Sequence, residues 1–277
     1  MKRQNQSMLE GPLFVNIILY TIPIILTSLL QLLFNAADLI IVGRFCGSIS
    51  VAAVGATDAI TKLMVNFFIG LSVGAGVTVA HGLGSRDNEV VHNTVHTALL
   101  TSLVSGVVLT FVGLVFSETF LRLMGTPEAV LPLSSVYIRI YFAGITFTMV
   151  YNFAAAILRA AGDTKSPLIF LSIAGVINVV LNFLFIYPTR TVALAGLAVT
   201  IPGMGWGVLG AAAASAIAFA VGGACITAVL WRHPAVSPRG GSFKPDMEIL
   251  RPCLKVAFPN MLQRFGTSLG YVAFASM

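Results

Sequence analysis

Between Phe14 and Val42 the chain carries one charged side chain, Asp38. A helical run needs about 20 apolar residues to cross a hydrocarbon layer, and this run exceeds that. Comparable runs follow at about Val51–Leu83, Thr94–Phe116, Ser134–Ala160, Leu168–Tyr187 and Gly207–Trp231, and a seventh starts near Lys255. Lipid offers the backbone no hydrogen-bond partner, so runs of this length must be helices. Only 9% of the residues are charged and 57% are hydrophobic, against about 25% charged in soluble domains. The mean hydropathy is +0.93. The expected fold class is an all-α polytopic membrane protein.

The net charge of +6 does not point to nucleic acid, because the basic residues are scattered between spans. They read instead as topology signals. With the N-terminus inside, the inner segments hold Lys2, Arg3, Arg86, Arg159, Lys165, Arg232, Arg239, Lys244, Arg251 and Lys255. The outer segments hold Arg44, Arg122, Arg139 and Arg190. That imbalance predicts a cytoplasmic N-terminus. Met1-Lys2-Arg3 imitates a signal peptide, but the following apolar stretch has no small-residue cleavage site, so the first span is expected to stay. Cys46, Cys225 and Cys253 form no CxxC pair and predict neither a disulfide framework nor a metal cluster.

A faint internal repeat relates GPLFVNIILYTIPIILTSLLQ, from Gly11, to LRPCLKVAFPNMLQRFGTSLG, from Leu250. Pro23 aligns with Pro259 and Glu10 with Asp246. Six spans separate the copies, so both run in the same direction, as in transporters built from parallel repeats. The expected organisation is a six-helix lobe over 1–231, a cytoplasmic interlobe loop over 232–250, and the start of a second, truncated lobe over 251–277. The Pro202-Gly203-Met204-Gly205 stretch reads as a loop before the sixth span.

Asp38 is the costliest residue in the first span. Gln31, Asn35 and Asp38 recur at helical spacing, with Thr27 one turn earlier, and form one polar stripe. Leu29, Leu33, Ile40 and Ile41 lie opposite, toward lipid or neighbouring helices. An ionisable group within a span marks a functional site by default. The alternative is a carboxylate near the outer helix end reaching water, since Val42 is only about one turn further on. Asn178 and Asn182 share a face of the fifth span. Their amides can bond a carboxylate or offer oxygen to a cation, or they can serve as interhelical glue. Asp58 and Lys62, four apart, can pair and lower each other's cost.

Other motifs read as structural. Gly70 and Gly74 form a small-xxx-small pair for close helix packing, and no strand precedes them to make a phosphate loop. His92 and His96 have i, i+4 spacing but no third ligand, so they are expected to be solvated at a helix start rather than metal-bound. His81 reads as interfacial. No hydrolase triad, P-loop or kinase motif is present, so no enzyme and no cofactor are expected.

FNAADLIIVGRF, GLSVGAGVTVAHGLGSRD, ILRAAGDTKSP, INVVLNFLFIY and IPGMGWGVLGAAAAS, in that order, resemble the multidrug and toxic compound extrusion (MATE) family over nearly the whole chain. The resemblance implies twelve helices in two lobes around a central cavity, of which this chain would be the N-terminal six-helix lobe and part of a seventh helix. It implies a monomer in a bacterial-type plasma (inner) membrane that exports amphipathic, often cationic, compounds against H+ or Na+. By position, Asp38 matches the family's first-helix coupling carboxylate, Asn178 a fifth-helix asparagine, and Tyr137 a tyrosine that joins the network in some members. Asn182 departs from the pattern, because many members have a second carboxylate there. A lone carboxylate among amides suits one proton better than sodium. Pro23 is the expected helix bend. The competing reading is a flippase for lipid-linked precursors, which would need several cationic residues facing the cavity. A channel is a third reading, with no coupling.

Overall fold

The computed structural model describes residues 12–194, 197–238 and 247–275. Lys2, Arg3, Glu10, Arg239, Lys244 and Asp246, used above for topology and for the repeat, lie outside the described residues.

The elements in order are α1 (Leu13–Cys46), α2 (Ser48–Gly84), α3 (Asn88–Leu123), α4 (Leu131–Ala143), α5 (Ile145–Ala160), α6 (Lys165–Ile186), β1 (Pro188–Leu194), β2 (Leu197–Met204), α7 (Val208–Arg232) and α8 (Met247–Ala275). Among the described residues α1, α2, α3, α6 and α7 are each long and apolar enough to cross a membrane. The chain is thus a multi-pass helical membrane protein, with one hairpin among the described residues.

Several boundary expectations need correction: besides the two that follow, α8 begins at Met247, within the stretch expected as an interlobe loop over 232–250. The stretch expected as one span over Ser134–Ala160 is a pair, α4 and α5, bent by 47°. The break falls at Gly144, whose N–H turns to the Tyr141 carbonyl at 3.1 Å. A Cβ at Gly144 would come within 2.6 Å of Ala216 Cβ, so α7 lies against the bend. The stretch expected as a Gly/Pro-rich loop is instead the antiparallel hairpin β1–β2, with Thr191 opposite Thr200 and Val192 opposite Val199. Its β-branched residues favour extended backbone. The hairpin's return is tied to α6 by Gly205 N–H to Tyr187 O (2.7 Å) and Trp206 N–H to Phe185 O (2.8 Å).

Local chemistry sets the other turns. Gly47 alone links α1 to α2, with φ +81°, a conformation that glycine adopts without a Cβ clash. Asp87 caps α3 by accepting the Val90 N–H at 3.1 Å. Asp163 accepts from both the N–H and the hydroxyl of Ser166 at the start of α6.

The core is centred on α5, where Phe153, Ile157 and Leu158 are wholly buried and pack with Val95 of α3 and with Ile226 and Leu230 of α7. The outer wall is α1, whose Leu29, Leu33 and Ile40 are exposed while Ile41 is buried, so the apolar side of the stripe divides between surface and core. Gly70 and Gly74 face α8, where Met261, Ala257 and the Cys253 backbone approach too closely for a side chain. They are packing residues, as expected.

His96 corrects another expectation. It is buried rather than solvated. Its Nδ1 lies 2.8 Å from His92 O and its Nε2 2.8 Å from Pro238 O, so the ring ties α3 to the segment after α7. His81 is exposed at the end of α2. Among the described residues no cluster of His, Cys, Asp and Glu could hold a metal.

Candidate functional site

α1 runs on to Cys46 rather than stopping at Val42. Asp38 is therefore eight residues, about 12 Å, from the helix end. The reading of Asp38 as a helix-end carboxylate does not hold. Beyond it, Ile41 and Val42 pack with Ile186 of α6 and with Val208 and Ala211 of α7. Further out, Phe45 and Tyr187 approach at 4.2 Å, and Tyr187 stacks on Phe183. These apolar and aromatic side chains line the α1–α6 contact beyond Asp38.

Close approach of α1 and α6 makes this seam. A Cβ at Gly175 would overlap the ring of Phe34, so only glycine at that position lets α6 sit this near α1. Two turns on, Asn182 is wholly buried, and its Nδ2 donates to Asp38 Oδ1 at 2.5 Å and to Asn178 Oδ1 at 3.1 Å. Asn178 Nδ2 in turn donates to Ser215 Oγ on α7 at 3.0 Å. Asp38, Asn182, Asn178 and Ser215 thus form a continuous chain of hydrogen bonds across three helices. Asn182 Oδ1 is buried with no hydrogen-bond partner.

The other expected residues divide. Gln31, Asn35, Asp38, Asn178 and Tyr137 all line one cavity of about 500 Å³. Tyr137 makes no hydrogen bond to Asp38 among the described residues, so its membership of the network rests on the shared cavity alone. Asn182 stands behind the wall rather than on it. Thr27 is buried and bonds the Pro23 carbonyl at 2.7 Å, off the cavity. Pro23 lies inside α1 without ending the helix.

Ser215 escaped the sequence reading, and the Asp58–Lys62 pair gained its place on the cavity wall. Ser215 sits in GAAAASAIAF, where a hydroxyl among alanines was the available signal. Asp58 and Lys62 pair as expected, at 2.7 Å, but well inside α2 and on the cavity wall. The wall then carries two acidic groups, Asp38 and Asp58, and one basic group, Lys62. Its formal balance is one negative charge, and neutral polar groups such as Asn66 and Asn152 complete the lining.

The MatE family model matches residues 23–184. The chain is 34% identical over 163 residues to a probable multidrug resistance protein, YoeA, of Bacillus subtilis (strain 168), covering 59% of this chain and 35% of that one. It is 25% identical over 251 residues to a probable multidrug resistance protein, NorM, of Thermotoga maritima, covering 90% of this chain and 51% of that one. A crystal structure of MATE in the bent conformation superposes with a TM-score of 0.85 at 28% identity, covering 97% of this chain and 57% of that one. The chain spans about half the length, or less, of these relatives.

Proposed function

Because the chain belongs to the MatE family, we propose that it forms the N-terminal lobe, over 1–231, and the first helix of the second lobe of a secondary active multidrug exporter. The exporter works by antiport in a bacterial-type plasma membrane, as a monomer with a cytoplasmic N-terminus. Its substrates are amphipathic compounds, often cationic, and its coupling ion in this lobe is H+ rather than Na+. The observation that carries this reading is the Asp38–Asn182 contact, which ties a carboxylate on the cavity wall to a buried amide chain. The relatives' names support the drug-export part. The single paired lysine on the wall weighs against a cavity for anionic lipid headgroups.

The relay supplies a mechanism. Ionised Asp38 accepts from Asn182, whose other donor bond holds Asn178. A protonated Asp38 becomes a donor and needs an acceptor. A half-turn of the Asn182 amide brings its partnerless Oδ1 to Asp38. Asn178 then turns so that its NH2 meets Asn182 Oδ1 and its own Oδ1 accepts from Ser215. Every bond in the chain is kept with reversed polarity. Protonation thereby reverses donor and acceptor at each contact that joins α1, α6 and α7, and Pro23 is the point at which α1 can bend. The ionised form favours a cationic substrate, so proton and drug compete for the same carboxylate. Each charge moved across the membrane couples to about 2.3 kcal/mol per 100 mV.

The test uses the complete transporter in inverted vesicles, with a proton or a sodium gradient and a fluorescent organic cation as cargo. Proton-driven uptake that is lost in Asp38→Asn supports the scheme. Uptake that is unchanged in the variant would falsify it.

A further inference from the structure

The cavity's second charged feature makes no hydrogen bond to the relay among the described residues. The Asp58 carboxylate and the Lys62 ammonium meet at 2.7 Å, one turn apart on α2, and both side chains line the cavity. They stay 46% and 40% exposed, so each remains reachable by a solute in that space. A half-exposed pair of this kind gains little from its own contact. It can open at small cost if a ligand offers each charge a new partner. Asn66 and Thr61 line the same stretch of α2 and add neutral hydrogen-bonding groups beside it.

We propose that Asp58 and Lys62 form a subsite that reads the anionic group of a substrate, with Lys62 taking a carboxylate and Asp58 releasing to the ligand's own cationic group. The proposal rests on the drug-export reading and assigns it a specificity element. The wall's charge balance gives the selectivity. With Asp38 ionised the wall holds one surplus negative charge and suits a monocation. With Asp38 protonated its charges balance, and the Asp58–Lys62 pair complements a zwitterion of equal and opposite charges.

A rhodamine dye tests this, as its free acid (a zwitterion) and as its methyl ester (a cation of nearly the same shape). Equilibrium binding of both dyes is measured by fluorescence polarisation on the complete transporter, in wild type, Lys62→Gln and Asp58→Asn. Lys62→Gln removes the carboxylate's partner and frees Asp58, so acid affinity falls and ester affinity rises, shifting their ratio about tenfold. Asp58→Asn shifts the ratio the opposite way. The double variant D58K/K62D keeps a pair and returns the ratio toward wild type. A purely structural ion pair would move both dyes in the same direction in both single variants, and that outcome overturns the proposal, as does an unchanged ratio. Wild-type uptake of the ester on a proton gradient is measured alongside. Its failure would sink the transport reading, while the binding ratio still decides the subsite.

Discussion

Gly74→Ala gives a direct test of how α8 is held. An added Cβ would come 2.8 Å from Ala257 Cβ and would overlap the Cys253 carbonyl oxygen. Nonbonded carbons rest at about 3.5–4.0 Å, and the oxygen belongs to backbone that no rotamer change can move. α8 must therefore shift by at least about 0.7 Å, the gap between the 2.8 Å approach and that distance. A rigid shift of that size along the Asn66–Ser268 hydrogen bond, now 2.9 Å, would stretch it to about 3.6 Å, beyond useful range. The Cys253–Thr78 contact, now 3.1 Å, loosens as well. Overpacking of this kind costs about 1–3 kcal/mol. For a chain of this size that corresponds to roughly 2–12 °C in melting temperature. Gly266→Ala, also on α8, is the control, since its Cβ meets nothing within 4 Å. It should be neutral or stabilising, by up to about 1 kcal/mol from helix propensity. The assay is thermal unfolding in detergent with maleimide labelling of Cys253, buried in the native packing, in a background with Cys46 and Cys225 replaced by serine. Gly74→Ala should melt lower and label several-fold faster. An equal melting temperature with Cys253 still protected would refute the claim that backbone contact at Gly74 sets the α2–α8 distance.

Asn182→Leu removes both donor bonds to Asp38 and Asn178, leaving buried acceptors at a cost of about 1–3 kcal/mol. Coupled uptake in vesicles should fall as in Asp38→Asn, and normal coupling would show that the relay is dispensable. Asn182→Asp puts two carboxylates at what is now a 2.5 Å contact, a pair that must share a proton or hold a cation. Sodium should raise the melting temperature of this variant and not of wild type, and the absence of that difference would remove the argument for proton coupling from Asn182. His96→Ala removes the ring whose two nitrogens lie 2.8 Å from His92 O and from Pro238 O. Trypsin should cut sooner after Arg232, and an unchanged digestion rate would mean that other contacts hold the segment.

The helical membrane class was legible because lipid leaves the backbone no alternative and because charge is so costly there that its rarity marks each span. The same cost singled out Asp38. Helical spacing placed Gln31, Asn35 and Asp38 on one face, and Asn178 with Asn182 on another, since a period of 3.6 residues belongs to any α-helix. The bend at Gly144 depends on α7 lying against it, and a pairing between helices distant in sequence leaves no local trace. His96 was misread for the same reason, because its partner at Pro238 is 142 residues away. The hairpin was missed because Gly and Pro at its end read as a loop, while its pairing is made between strands. Above all, the sequence offered a carboxylate and two amides able to bond it, and the family resemblance grouped them, but helical spacing alone does not bring two helices together. That contact exists because Gly175 admits Phe34 and lets α1 and α6 approach, which only the packing of the whole lobe decides.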